Sequence, residues 1–317
     1  MVFGWVPSRR ELRKDASPRV MSMSAKPANS IAAVVVTRNR LSLLKSCVAA
    51  LRAQTHPLNA IIVVDNDSTD GTREWLAGQR DLQVITQPNS GGAGGQYTGM
   101  KTAYLQGHDW FWCMDDDTEP NRDALEELVK SPRFSDPQTG FLASLVLWTD
   151  GTPHRMNTPE PSHHWEWYHT VLTDKCIRVS VSSFVSILIS RAAVAKVGLP
   201  IKEFFIWRDD VEYTERVGEH FHNYLVLSSR VLHNTKVHTG GVWPARIEPH
   251  EYTKYCYGVR NEVALIKMRK LPRYRKVIRF IGLLNRYLPM ILTGRAPVRL
   301  LGWIWRGLWF RPKPDMV

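Results

Sequence analysis

The ten residues FWCMDDDTEP, Phe111 to Pro120, pass from four apolar side chains directly into three aspartates. Adjacent carboxylates repel one another, and burial makes each charge costlier. An apolar strand that ends this way calls for a positive partner. Asp115 and Asp117 flank a single residue, a spacing that lets two hard oxygen ligands hold a divalent ion while leaving positions for water and phosphate; Mn or Mg suits such a donor set. The competing reading is helix capping, because acids and a proline also precede helices. A cap, however, needs one acid rather than three.

A second acidic motif lies at FFIWRDDVEYTERV, residues 204–217. Asp209 and Asp210 follow an aromatic patch and open a helical pattern. A carboxylate beside a metal site but not bound to the metal can act as general base on a hydroxyl. The alternative is a charged helix start paired with Arg208 or Arg216. Glu212 falls on a different helix face from Asp210 and should stay outside the site. Of eleven histidines, His233 ends the strand-like run YLVLSSRVL and could complete a set of two carboxylates and one imidazole, with His238 as its rival. His163, His164 and His169 interleave with Trp165 and Trp167, either as a sugar-binding face or as loop packing.

The stretch PNSGGAGGQYTGMKTA, residues 88–103, is glycine-rich but carries neither known phosphate fingerprint. Tyr97 occupies the third glycine position of a dinucleotide motif, and Met100 stands where a P-loop has lysine. What remains is a turn feeding a helix N-terminus, either touching an anion or simply tight.

These motifs need elements to hold them. IAAVVVT (31–37) and AIIVVD (60–65) are continuous β-branched runs, as in strands buried on both faces. Helical spacing follows at 41–54, a short helix fits 72–78, a strand 82–86, a helix 93–106 and a strand 109–114. GFLASLVL (140–147) and SFVSILIS (183–190) add two strands, separated by a polar and aromatic loop over 154–170. The alternation predicts a doubly wound, mostly parallel α/β sheet. Ligands of such sheets bind beyond the carboxyl ends of the strands. Thr37-Arg38-Asn39, Asp65-Asn66-Asp67 and Asp115-Asp116-Asp117 are therefore expected to converge on one crevice.

The chain has 317 residues, 44% of them hydrophobic, and four cysteines without a CxxC pair, which argues against a zinc ribbon or disulfide framework and fits a reducing compartment. Its net charge is +12, and residues 267–317 hold thirteen Lys or Arg against the single acid Asp315, which accounts for the whole excess. A neutral body with a basic tail points to membrane phosphate or nucleic acid as the surface that the tail meets. RFIGLLNRYLPMILTGRAPVRLLGWIWRGLWFRPK has the composition of helices lying in a membrane interface; the alternative is a helical appendage packed on the sheet with solvated arginines. Residues 1–30 lack the apolar core of a secretory signal and read as a mobile basic leader. No window of eighteen apolar residues free of charge occurs, so no transmembrane helix is expected. Three regions follow: the leader 1–30, an α/β domain 31–245 and a basic amphipathic helical region 246–317.

Together these features resemble inverting nucleotide-sugar glycosyltransferases of the GT-A fold, family 2, over residues 31 to about 262. The resemblance places base recognition on Thr37, Arg38, Asp65 and Asn66, with Asp116 near the nucleotide and Gly92 and Gln96 beside the donor. It places the metal on Asp115, Asp117 and His233, and the catalytic base on Asp210 with Asp209 next to it. Trp207, Trp165, Trp167, His238 and Arg260 fall toward the acceptor. NSGGAGG, WFWCMDDD, WRDDVEY and YCYGVRN (255–261) are similar to the corresponding segments of actinobacterial galactofuranosyltransferases, although Arg208 separates Trp207 from the acid pair, where one such branch has tryptophan directly before it. Bacterial rhamnosyltransferases share much of the pattern, so dTDP-rhamnose stands as the alternative to UDP-galactofuranose. The resemblance implies a polyprenyl-diphosphate-linked glycan as acceptor and a peripheral, cytoplasmic position at the inner face of the cell membrane. A homo-oligomer is compatible with it. A nucleotidyltransferase would carry a lysine-bearing glycine loop near the first strand, which TRNRLSLL lacks. A nucleic-acid-binding protein would need cations where this body has acidic clusters. A catalytically dead sugar-binding relative would have no need of Asp210.

Overall fold

The computed structural model of the chain describes residues 29–162, 169–235 and 246–317. The leader through residue 28, His163, His164, Trp165, Trp167 and His238 lie outside the described residues.

The order begins β1 (Ile31–Thr37), α1 (Leu41–Arg52), β2 (Ala60–Asp65), α2 (Thr72–Ala77), β3 (Gln83–Thr86), α3 (Gly91–Leu105), β4 (Trp110–Asp115), β5 (Thr118–Pro120), α4 (Ala124–Lys130) and β6 (Thr139–Leu147). It continues through β7 (Glu160–Pro161), α5 (Thr170–Asp174), β8 (Cys176–Val181), β9 (Ile187–Ser190), α6 (Arg191–Val197), α7 (Asp209–Gly218) and β10 (His222–His233) to three closing helices, α8 (Tyr252–Met268), α9 (Arg273–Leu292) and α10 (Arg299–Trp309). The sheet order is β3-β2-β1-β4-β9-β6-β10-β8-β7, with β5 paired to β10.

β1 lies between β2 and β4, parallel to both, and every residue of it is buried. This is why its sequence is continuously apolar rather than alternating. Ala33 and Val35 join Leu44, Trp112 and Leu125 on one face, while Ala32 and Val34 join Met100, Phe111 and Tyr213 on the other. The sheet is mixed: β9 runs antiparallel to both β4 and β6. The run expected as one strand over 183–190 is a strand only from Ile187. Ser186 instead holds the Trp112 indole N–H at 3.0 Å and the Ser144 hydroxyl at 2.8 Å.

Register brings the polar strand ends together. Thr37 is opposite Asp65, and Val36 is opposite Asp115. β10 shifts register between Val226 and Arg230; its first half pairs with β8, and its last residues with β5, which sets His233 opposite Thr118. Such irregularities bend a strand and re-aim its side chains.

All but one of the glycines of α3 are contact glycines. A Cβ on Gly95 would lie 2.3 Å from Val36 Cγ1, and one on Gly99 2.2 Å from Val34 Cγ1, so the helix sits directly against β1. Gly91 has φ +73°, and a Cβ there would lie 1.9 Å from the Phe205 carbonyl oxygen. Around Gly92 the space is open.

The closing helices form their own core, in which Val259 and Val263 of α8 meet Leu283 and Tyr287 of α9 and Leu300 and Ile304 of α10. The chain end returns to the α/β body, where Asp315 accepts from Tyr97 Oη at 2.8 Å and Lys202 Nζ at 3.0 Å, and its carbonyl accepts from Leu199 N.

Gly91→Ala should lower stability by about 1–3 kcal/mol through backbone strain and overlap. Gly92→Ala, in open space within the same helix, should be neutral or stabilising by about 0.5–1 kcal/mol. Urea midpoints of the two variants check the contrast.

Candidate active site

β4 ends at Asp115, and a two-residue turn, Asp116-Asp117, leads into β5. The next helix, α4, starts only at Ala124, with Asp123 before it. The three aspartates therefore cap no helix, and the capping alternative falls. They occupy a turn at the carboxyl edge of the sheet, between the ends of β1 and β10.

Each carboxylate there has a distinct environment. Thr37 donates its hydroxyl to Asp116 Oδ2 at 2.7 Å. Arg40 Nη1 donates to Asp116 Oδ1 at 3.2 Å and to Asp117 Oδ2 at 2.6 Å. His233 Nε2 stands 3.2 Å from Asp117 Oδ1, and its Nδ1 stands 2.7 Å from Asn157 Oδ1. Asn157 turns its amide nitrogen to Ser183 Oγ, which fixes its oxygen toward the imidazole. Nδ1 then carries the proton, and a neutral ring would point its Nε2 lone pair at a carboxylate. That pairing calls for a cation, either a proton on Nε2 or a metal ion shared by the two groups. The donor set fits a divalent ion on these grounds. Among the described residues, no three His, Cys, Asp or Glu side chains already group around one point; the guanidinium of Arg40 bridges Asp116 and Asp117 instead.

Burial, followed by the charges of Asp117 and Asp116, pushes Asp115 well above the ordinary carboxylate range, with Arg40 opposing and Asp209 adding to the rise. Burial raises Asp116 to about 6 against the pull of Arg40 and Thr37. Burial also works to raise Asp117, but the His233 hydrogen bond and charge, with Arg40, hold it below its usual value. That Asp209 is felt at Asp115 puts the start of α7 in the same electrostatic neighbourhood as the end of β4.

Asp209 is buried, and desolvation together with the charge of Asp210 raises it to about 8. Burial raises Asp210 as well, opposed by the Val211 N–H, which its Oδ1 accepts at 2.7 Å, and by Arg208. Glu212 turns away to Arg216, at 2.7 Å. The loop ahead of the acid pair holds Phe205, Trp207 and Arg208 at positive φ, between +64° and +70°. Side chains rarely adopt this conformation, and it persists only where surroundings enforce it. Here they do so from two sides. Ala93 N, in the first turn of α3, donates to Phe205 O at 3.2 Å. From α8, the buried Asn261 Nδ2 reaches the carbonyls of Phe204, Ile206 and Trp207 at 2.8–3.0 Å.

The other expected site residues sort themselves. Asp65 is fully buried; its Oδ1 accepts from Ser68 N at 3.0 Å, while its Oδ2 has no hydrogen-bond partner and Arg73 Nε is 3.7 Å away. Gln96 donates to Met114 O and leaves its own buried carbonyl oxygen without a partner. Two buried acceptors near the strand ends thus lack a hydrogen bond. Asn66 has both halves of its amide engaged with the approach to α3, donating to Gly91 O and accepting from Gln87 and Ser90. Arg38 is exposed. Trp207 packs edge-on against Tyr255 with ring centroids 4.9 Å apart. Arg260 directs its guanidinium to the Glu203 carbonyl at 2.6 Å and over the Phe310 ring, which makes it a support of the 203–208 loop. Arg40, Asn157 and Asn261 are contributors that sequence reasoning missed. The signal for Arg40 was its place as a cation at the start of α1, the helix end that favours negative charge.

This arrangement of layers and strand ends is the GT-A fold of glycosyltransferases. The solved structure of GalNAc-T7 with UDP, GalNAc and Mn2+ matches at a TM-score of 0.58 and 15% identity, over 85% of this chain and 58% of that one. S. aureus TarS 1-349 in complex with UDP matches at 0.56 and 16%, over 88% and 81%. Residues 32–197 match Glycosyl transferase family 2, and the chain belongs to that family. It is 31% identical over 199 residues to galactofuranosyltransferase GlfT1 of Mycolicibacterium smegmatis, covering 59% of this chain and 65% of that relative. It is 44% identical over 92 residues to GlfT1 of Mycobacterium tuberculosis (strain CDC 1551 / Oshkosh), covering 28% and 30%. The chain thus spans less than two thirds of the length of these curated relatives.

Because Asp209 is held protonated by its surroundings, its stabilising effect is complete below the ordinary carboxylate pKa and is lost as pH rises through about 8. Asp209→Asn should therefore gain in melting temperature over the wild type as pH rises from about 4 to about 8 and hold that lead above it, a gap that calorimetry at several pH values would follow.

Proposed function

We propose that this chain is an inverting, metal-dependent galactofuranosyltransferase, moving the sugar of UDP-galactofuranose to a hydroxyl of a polyprenyl-diphosphate-linked glycan at a membrane surface. The observation that carries this reading is the convergence of Thr37 from the end of β1, Arg40 and His233 from the end of β10 on the aspartate turn after β4, with Asp209 of α7 adding to the electrostatics of Asp115. The similarity to enzymes named galactofuranosyltransferases supports the donor.

In this reading Asp65 Oδ2 and Gln96 Oε1, two buried acceptors without a hydrogen bond, take N–H or O–H groups of the nucleoside, with Thr37 and Arg38 beside them. Gly92 leaves room for the donor at the first turn of α3. Asp115, Asp117 and His233 would hold Mn or Mg, which when bound supplies charge neutralisation for a leaving diphosphate. Asp210 takes the proton of the acceptor hydroxyl as that oxygen attacks the anomeric carbon from the face opposite the leaving group, and a single displacement inverts the configuration. The raised affinity of Asp210 for a proton makes it a stronger base than an exposed aspartate. Trp207, exposed next to the acid pair, is placed to offer an apolar surface to a sugar face.

The membrane reading rests on the two-sided character of α10. Leu300 and Ile304 face inward with Gly307, whereas Leu301, Trp305 and Trp309 form an exposed stripe at i, i+4 and i+8. On α9, Val277, Ile278 and Ile281 are exposed among Arg273, Arg275 and Arg279. No described helix is long and apolar enough to cross a membrane. Apolar stripes with interleaved arginines suit the plane of an anionic leaflet, where each basic residue contributes about 1 kcal/mol. The four cysteines, all buried and none in a disulfide, agree with a cytoplasmic location at the inner face.

Asp210→Asn should retain donor binding and lose roughly 10²–10⁴ in turnover. The donor is read from thermal shift and hydrolysis with Mn across UDP-galactofuranose, UDP-galactopyranose, dTDP-rhamnose and UDP-glucose. UDP-galactofuranose should lead, and a preference for dTDP-rhamnose would make the enzyme a rhamnosyltransferase. The exposed substitutions Ile278→Asp and Trp305→Asp together should abolish co-flotation with vesicles containing anionic lipid while leaving the fold intact by circular dichroism; unchanged flotation would remove the membrane role.

A further inference from the structure

Arg40 sits where its sign is wrong for its helix. It occupies the residue before α1, a position that favours small polar or acidic side chains, and it offers no cap. A cation there opposes the helix dipole. The capping work is done from elsewhere, by Asp70 Oδ2, which accepts the Leu41 N–H at 3.0 Å. The guanidinium instead reaches across to the aspartate turn, where one nitrogen bonds both Asp116 and Asp117.

With it in place, all four oxygens of those two carboxylates are engaged: Asp116 by Thr37 and Arg40, Asp117 by Arg40 and His233. A divalent ion that uses Asp117 competes with these partners for its oxygen lone pairs. Thr37 is buried at the end of β1. His233 is buried, tied through Nδ1 to Asn157 and packed 4.8 Å from the His154 ring. Arg40 alone comes from the surface: its side chain is 46% exposed, against 4% and 9% for the aspartates it bonds. It is the partner that can leave, since water is already at hand for its guanidinium. Its charge would also repel a metal ion on Asp117, which favours its departure.

We propose that Arg40 is a resident counter-ion that holds the aspartate turn in the donor-free enzyme and gives way to the divalent ion, swinging out to the diphosphate that arrives with it. The inference rests on the metal-dependent reading above. Its consequence is that cation binding is weak until a nucleotide diphosphate is present, because the diphosphate provides both an extra ligand set for the ion and a new anionic partner for the guanidinium.

The test compares wild type, Arg40→Gln and Arg40→Lys by electron paramagnetic resonance of free Mn2+, with and without UDP, after circular dichroism and melting curves establish folding. Without UDP, Arg40→Gln should bind Mn2+ about ten- to a hundredfold more tightly than wild type, the equivalent of one charged hydrogen bond removed. Arg40→Lys, which keeps the charge but bridges less well, should fall between them and serves alone if the neutral variant fails to fold. With UDP and Mn2+ together, Arg40→Gln should bind UDP more weakly than wild type. Equal Mn2+ affinity in all folded variants without UDP, while UDP still promotes Mn2+ binding, would overturn the counter-ion role and leave the metal reading standing. Absence of Mn2+ binding by every variant, with and without UDP, would overturn the metal reading and this inference with it.

Discussion

The structure is organised around the cost of keeping negative charge at the carboxyl edge of a buried sheet. Three carboxylates follow one another out of β4, and two more open α7 nearby. Desolvation alone would drive most of them neutral. Burial pushes Asp115 and Asp209 upward, whereas Asp117 is held down, because an imidazole and a guanidinium meet it on its two oxygens. Most of the polar contacts at this edge can be traced to that need: Thr37 turns its hydroxyl to Asp116, Asn157 fixes the His233 tautomer, and Arg40 gives up the ordinary role of its position. Under the proposed metal-dependent reading, the guanidinium of Arg40 holds the turn where a metal ion would otherwise do so.

The acid pair on α7 is held by a different device. Its approach loop carries three residues at positive φ in four positions, a conformation that would relax without outside support. The glycines of α3 let that helix come close enough to bond Phe205, and any larger residue at Gly91 would push the loop away. Asn261 holds the same loop from α8. α3 and α8 therefore grip one segment between them, and the position of Asp210 depends on both. The region after residue 246 is thus more than a basic appendage, because its first helix is part of what aims the acid pair.

What the sequence disclosed and what it concealed follow from this division. β1, β2 and β4 are continuous apolar runs because they are buried on both faces, and their polar ends could be read directly as the edge of a site. Direction and partner were not legible: the apolar run of β9 is the same whether it pairs parallel or antiparallel, and β5 and β7 are too short to show any period. The aspartates and His233 announced themselves by type and by place at strand ends. Arg40, Asn157 and Asn261 did not, because each acts through a tertiary contact with a segment 50 or more residues away. Asn66 shows the reverse: its place at the end of β2 suggested a base contact, yet its amide fastens that strand to α3.

The same packing ties the exposed face of the closing helices to the chemistry. Gly307 of α10 lies so close to α8 that a Cβ there would meet Val263 at 2.7 Å and the Arg260 carbonyl at 2.9 Å. Arg260 and Asn261, one residue apart on α8, are the side chains that brace the loop ahead of Asp209 and Asp210. α10 thus contacts the brace directly through its inner stripe, while its outer stripe of Leu301, Trp305 and Trp309 faces solvent. Interiors packed this closely transmit displacement rather than absorb it. Under the proposed membrane reading, a lipid surface bearing on the outer stripe acts on a helix that touches the support of the catalytic base, so attachment to the leaflet and alignment of the acceptor's proton acceptor belong to one mechanical unit.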